Sequence, residues 1–231
     1  MTRDDGLGPV SGRVTVQDAI YLKLRDALLI GRFDPGQVLT MASLAQGFET
    51  SLMPVREALR RLAAENALEI ARNGSARVPP VNLARLSDLM RARVAVEGLA
   101  AELAAQQASA DNLAALKANI AVHEAAAAGG SVGDMLDANR AFHFLLYRAA
   151  GSDVLFQLID TLWLRLGPYM RLLSVHVEPL MREAEPQAYT RHHHRILAAL
   201  TERDAGRARE ALVADIRGTE DILRKIIATS T

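Results

Sequence analysis

Apolar positions set the frame of this chain. Ile20, Leu24, Ala27 and Leu28 recur three and four residues apart, which predicts a helix over Gln17–Ile30 with one buried stripe. Gly31 ends it, and Asp34-Pro35-Gly36 predicts a turn, because proline fixes φ while glycine permits positive φ. Thr40–Phe48 reads as a second short helix, with Gly47 beginning the break after it. Thr50–Leu62, TSLMPVREALRRL, predicts a third. Val55, Ala58, Leu59 and Leu62 share its apolar face, Ser51 stands where a side chain can cap the N-terminus, and Pro54 falls in the first turn, where its missing N–H costs little. Ala67–Ala71 and Ala76–Pro79 then read as two strands joined across Asn73-Gly74, a hairpin signal. Two helices, an exposed third and a hairpin make a winged helix-turn-helix over residues 16–79.

Pro79-Pro80 marks a boundary, and from there the pattern is helical. Helices are predicted over Leu83–Ala108, Asp111–Ala127, Asp134–Ala150 and from Ser152 through Leu166, with a kink at Gly167-Pro168. A fifth opens at Pro186 and runs through Leu200; a sixth opens at Asp204 and runs through Ile227. Short connections predict an antiparallel bundle over residues 80–231. The fold class is therefore mainly α, a winged helix-turn-helix followed by an all-helical bundle. Residues 1–15 lack apolar periodicity and are expected to form a flexible arm.

Composition supports helices over sheets, since 50% of residues are hydrophobic and only 4% aromatic. No cysteine is present, which removes disulfides and thiolate ligands from consideration and suits a reducing cytoplasm. No apolar run is long enough to span a bilayer. The formal net charge is zero, so any attraction to nucleic acid must be local. Arg56, Arg60 and Arg61 on the third helix, with Arg72 and Arg77 flanking the hairpin tip, supply a local cluster. Guanidinium forks match both phosphate oxygens and the guanine edge, so this helix suits a major groove. Ser51, Met53, Arg56, Arg60, Arg61, Asn73 and Arg77 are the candidate DNA contacts.

At this point the residues carry a resemblance. GRFDPGQVLT, LAQGF, PVREALRRLAAENALE and RNGSARV, in one register, resemble the DNA-binding domain of GntR-family bacterial transcription regulators. RLSDLMRARVAVEGLAAELAA, DANRAFHFLLYRAAGS and HHRILAALTERDAGRAREALVADI resemble the FCD ligand-binding domain of that family's FadR subfamily, in its shorter six-helix, VanR-like form. The resemblance implies a ligand-responsive regulator, expected to be a repressor, that binds a palindromic double-stranded DNA operator as a cytoplasmic homodimer with no membrane association. Two departures matter. Arginines common in the family at the positions of Ala42 and Leu52 are missing, which puts the usual operator in doubt.

Asn139 and His143 lie four apart and share a helix face; His193 and Asp215 lie on the fifth and sixth predicted bundle helices. The resemblance implies a divalent metal at these four positions, with Asn139 in place of the family's carboxylate and Asp215 in place of its last histidine. Two imidazoles and two oxygen donors suit zinc, nickel, manganese or iron. The alternative is that His143 and His193 are hydrogen-bonded core residues in a metal-free binding module. The consecutive His192, His193 and His194 cannot face one site, since each helical step turns by about 100°. His123 and His176 have no matched role and are expected at the surface. Arg93 and Glu97 form either an i,i+4 pair on a solvated face or, as the resemblance implies for Arg93, a contact to a small organic acid effector. Arg165, Asn139, Trp163 and Tyr169 are further candidates to line that pocket. A different class of reading makes His143, His193 and Asp215 the metal centre of a hydrolase.

Overall fold

The computed structural model describes residues 15–71, 75–177 and 185–229. Of the expected arm over 1–15, residues 1–14 lie outside the described residues, as does the hairpin tip with Arg72 and Asn73.

The first unit contains α1 (Val16–Leu29), β1 (Val38–Leu39), α2 (Met41–Gly47), α3 (Leu52–Ala64), β2 (Glu69–Ile70) and β3 (Ala76–Arg77). Thr15 and Asp18 form a capping box at the start of α1, and Thr40 accepts from the Ser43 N–H at the start of α2. Ser51 occupies the N-cap position of α3 in an extended conformation, but its side chain makes no capping hydrogen bond there. The sheet is antiparallel with order β1-β3-β2, pairing Val38 with Arg77 and Ile70 with Ala76. The hairpin strands are shorter than the sequence pattern suggested, and β1 is an addition. Two-residue strands carry no readable alternation, so β1 left no periodic signal.

Six α-helices follow among the described residues: α4 (Leu83–Gln107), α5 (Ala110–Ala128), α6 (Val132–Ala149), α7 (Asp153–Val177), α8 (Arg191–Thr201) and α9 (Ala205–Thr229). Asn82, Ser109 and Ser131 cap α4, α5 and α6 by accepting from backbone N–H groups three residues on. Pro186 opens a single 3₁₀ turn, Pro186–Ala188, and α8 begins only at Arg191. Pro168 sits inside α7 without ending it. At the centre of the bundle, α4 packs against α6, α7, α8 and α9. Ala100, Ala101, Ala104 and Ala105 are fully buried along it, and small side chains let helix axes approach closely.

The two units meet along α7. Its Gly167 lies against α1 so closely that a Cβ there would stand 2.0 Å from the Leu28 carbonyl oxygen. Gly31, at φ 66°, is equally confined: its Cβ would meet the Arg171 amide nitrogen at 2.7 Å. Polar contacts flank this notch. Arg171 Nε donates to Asp34 at 2.8 Å, Arg165 Nε donates to the Glu65 carbonyl at 3.2 Å, and Arg25 pairs with Asp160.

Candidate functional site

On α3, Val55, Ala58, Leu59 and Leu62 are buried against α1 and α2, which turns the opposite face to solvent. Ser51, Met53, Arg56 and Arg60 are exposed, and Arg56 makes no hydrogen bond or ion pair with another described residue. Among the described residues Arg60 pairs only with Glu57, at 3.4 Å and in the open. Arg61 is engaged differently from the groove-facing role suggested for it. Its guanidinium lies 3.6 Å from the Tyr21 ring centroid and within ion-pair distance of Asp18 and Glu65, so it braces α3 against α1. Arg77 is exposed on β3 and donates to the Gly36 carbonyl at 3.2 Å.

The bundle gathers its chemistry from six helices. Arg93 and Glu97 on α4 are buried, not on a solvated face. The ion pair is bidentate, at 2.6 and 3.1 Å, and the guanidinium lies 4.9 Å from the Trp163 ring centroid. Burial works against the charge on Arg93, but the Glu97 carboxylate beside it raises its pKa. Tyr147 on α6 donates its hydroxyl proton to Glu97. Burial, and then the Glu97 charge, push that phenol well above its ordinary range, so it stays a donor.

This arrangement fixes the tautomer of His143. With its proton committed to Glu97, the Tyr147 oxygen accepts from His143 Nδ1–H at 3.2 Å. The other nitrogen, Nε2, faces Asp215 Oδ2, 3.1 Å away on α9. Two acceptors at that distance require a proton or a cation between them. Asp215 is held ionised: burial opposes its charge, but His143 draws its pKa down to about 2. His193 on α8 completes the group, and one ligand atom from each of these three residues lies within 4.8 Å of the others. It is fully buried, stacked on Phe142 at 4.0 Å between ring centroids, and neither ring nitrogen has a hydrogen-bond partner among the described residues. Burial, then the neighbouring His143, lowers its pKa to about 2.

The fit to a divalent cation is therefore good. An unpaired buried imidazole, a second imidazole whose lone pair is aimed by a donor on its far side, and an ionised carboxylate are what zinc or nickel takes. The same features disfavour the packing-only reading of these two histidines, since buried polar atoms are ordinarily paired.

A cavity of about 250 Å³ adjoins the group, with Arg93, Asn139, His143, Trp163 and Asp215 in its lining. Met135, Leu166 and Met170 contribute to its apolar wall. Asn139, half-buried on α6, also borders a second cavity of about 580 Å³ that reaches Gly31, Arg32 and Arg171 between the two units. Two candidates fall elsewhere. Arg165 does not line the 250 Å³ cavity; its guanidinium is turned to the C-terminal end of α3, onto the Glu65 carbonyl. Tyr169 likewise donates its hydroxyl to the Asn82 carbonyl. His176 and His194 are exposed, and His194 meets Glu124 at 2.9 Å, while His192 is half-buried in the cavity lining.

Sequence reasoning missed His123. It is buried on α5, 5.2 Å from His193 between ring centroids, with Nδ1 unpartnered; burial, then His143, lowers its pKa to about 4. The signal was present: Leu116, Ile120, His123 and Ala127 are spaced as one buried helical stripe.

A winged helix-turn-helix with an exposed arginine face, set on a helical bundle, defines a DNA-binding transcriptional regulator. The chain belongs to the GntR family of bacterial regulatory proteins, in the branch that carries an FCD domain. The model described as "Bacterial regulatory proteins, gntR family" matches residues 16–78, and the FCD domain model matches residues 88–218. The HTH-type transcriptional regulator McbR of Escherichia coli K12 is 32% identical over 189 residues, covering 82% of this chain and 84% of that protein. The HTH-type transcriptional repressor RspR of the same strain is 24% identical, covering 98% and 95%. The solved structure of E. coli McbR/YncC superposes with a TM-score of 0.80 at 29% identity, over 92% of this chain and 99% of that one. These relatives are regulators, not enzymes, and the hydrolase reading is set aside on that ground.

Proposed function

We propose that this protein is an effector-responsive repressor that binds a palindromic operator as a homodimer in the cytoplasm. Residues 16–79 form the DNA-binding unit and residues 80–231 the effector-binding and dimerisation unit. The effector is a small carboxylate, received in the 250 Å³ cavity beside a divalent cation held by His143, His193 and Asp215, with Asn139 at its edge. The observation that carries this reading is the fully buried His193, unpaired among the described residues, whose ring converges with His143 and Asp215, two residues that line that cavity. Arg93 adds positive potential, but Glu97 already occupies its fork, so a bound cation would supply the main attraction for a carboxylate.

Dimerisation follows from affinity. One winged helix buries too little surface for tight specific binding, whereas two half-sites on one dimer combine their free energies. RspR is named a repressor, which supports repression here. The response would travel through α7. That helix presents Trp163 and Met170 to the cavity, Gly167 to Leu28 of α1 and Arg171 to Gly31 and Asp34 just beyond α1, so a ligand that prefers one setting of α7 biases the setting of α3. Linkage then requires that an inducer and the operator weaken each other by the same factor. No helix among the described residues is long and apolar enough to cross a membrane.

Genomic fragments retained by the protein at physiological salt test the reading. Enrichment of a short inverted repeat, released when zinc and a small carboxylate are added together, is the expected result. Retention without a shared sequence, falling steeply with salt, would leave only phosphate contacts and overturn it.

A further inference from the structure

A metal-ligating histidine uses one ring nitrogen on the metal and must place the N–H of the other on an acceptor, which fixes its tautomer and aims its lone pair. For His143 that role is filled by Tyr147. For His193 no such partner is in hydrogen-bonding position among the described residues: both nitrogens are buried and unpaired. Around it stand Phe142, which has no polar atom, and two imidazoles, His143 and His123. His143 is already committed at both nitrogens, to Tyr147 and to Asp215. His123 is not. Its Nδ1 is buried and unpartnered, and its ring centroid lies 5.2 Å from that of His193, close to the separation of two imidazoles joined edge to edge by an N–H···N bond.

We propose that His123 is the positioning residue of the cation site: it accepts from the second ring N–H of His193 and so orients His193 toward the position shared with His143 and Asp215. The inference rests on the metal reading given above. His123 stands outside the group whose ligand atoms converge within 4.8 Å, which assigns it to the supporting layer and not to coordination. The rings are tilted 50° to one another, and the bond forms when a turn of either ring brings His123 Nδ1 into line with the N–H of His193. The two histidines with no outward partner thereby satisfy each other. Glu124, next in sequence to His123, is occupied elsewhere by Thr190 and His194.

The test uses the full-length protein stripped with a chelator and titrated with Zn²⁺ and Co²⁺ against a chromophoric competitor. His123→Asn keeps an acceptor near the place of Nδ1; His123→Leu keeps apolar volume and removes it. The expected result is about a 10–100-fold loss of metal affinity in H123L, and recovery to within about 3-fold of wild type in H123N. The metal-free thermal midpoint of H123L should stay at or above that of wild type, because an unpaired polar atom has been removed; a purely structural role predicts the opposite pattern. In the zinc-loaded wild type, a ¹⁵N-coupled imidazole N–H of His193 should be protected from exchange, and it should be lost in H123L. Equal affinities in wild type and H123L would overturn the assignment of His123. So would three imidazoles, instead of two, at the zinc absorption edge, since His123 would then be a ligand. A wild-type protein that takes up no stoichiometric metal would overturn the reading of the site itself.

Discussion

The reading helix and the bundle cavity expose arginine on opposite terms. Arg56 on α3 stands in solvent with no partner among the described residues, while Arg93 on α4 is buried, doubly bonded to Glu97 and covered by Trp163. A groove-reading side chain has to be available to a partner that arrives later, so its surroundings are left empty. A buried charge has no such freedom, because removing it from water is costly unless a counter-charge is fixed beside it. Loss of Arg56 should therefore change function without changing the fold, and loss of the Arg93 partner should do the reverse.

Glu97 gives the largest effect. Glu97→Gln leaves the Arg93 guanidinium without its counter-charge in the bundle, and the one remaining carbonyl oxygen cannot serve the three donors of Arg93 and Tyr147 that the carboxylate serves. Breaking a buried pair by removing one partner costs about 3–5 kcal/mol, read as a fall in chemical-denaturation stability. A loss under ~1 kcal/mol would mean that water reaches the pair and that the contrast with Arg56 is false.

Arg56→Ala should leave stability within about 0.5 kcal/mol of wild type, as exposed substitutions do. Specific operator binding should weaken by about 1–3 kcal/mol per half-site, as removal of a base-reading arginine does. Anisotropy with operator and scrambled duplexes checks it; an equal loss on both would reassign Arg56 to phosphate. Arg61→Ala sharpens the comparison within one helix. Because Arg61 packs on Tyr21 and pairs with Asp18, its loss should appear in stability before it appears in base discrimination.

Between the two regions lies the glycine notch. Gly167→Ala would drive a methyl group into the Leu28 carbonyl, whose oxygen lies 2.0 Å from the Cβ position, so α1 and α7 must part. Overpacking of this kind costs about 1–3 kcal/mol. The sharper readout is coupling: operator affinity in the absence of effector should survive, while the change produced by zinc and carboxylate should shrink. Undiminished coupling would place the route elsewhere than α7.

The same contrast explains what the chain disclosed before its structure. In α3 the capping position, Pro54, the apolar face and Arg56 are neighbours in sequence, and local rules suffice to read them. The bundle helices were legible for the same reason, apart from the start of α8, where Pro186 begins a 3₁₀ turn and not the helix. The cavity is different. Its lining residues Arg93, His123, His143, Trp163 and Asp215, and His193 behind them, come from six separate helices, and only the packing of α4 with its neighbours decides which of them meet. Periodicity placed His143 and Asn139 on one face; it had no means of showing that Arg165 turns away to Glu65 while His123 turns in.

The smallest effect per step is a dependence on pH that only one of the two regions can show. All six histidines lie beyond residue 120, so none belongs to the DNA-reading unit. In the metal-free protein His123 and His193 are held neutral, at about 4 and about 2 against an ordinary 6.5. As pH falls below 6.5 the unfolded chain takes up protons that the folded bundle refuses, so stability is complete above that value and declines beneath it. The contribution of His123 is spent by about pH 4, that of His193 continues to lower pH, and Asp215, ionised down to about 2 against 3.8, adds its own loss only below 3.8. Each refused proton gives a slope of at most about 1.4 kcal/mol per pH unit, so two histidines set a ceiling of about twice that between pH 6 and 4. Denaturation midpoints across this range measure the slope, and His193→Leu should remove its share while Arg56→Ala leaves it untouched. A slope that persists unchanged in His193→Leu would mean that His193 is protonated in the folded state, and an imidazolium at that position could not hold a cation.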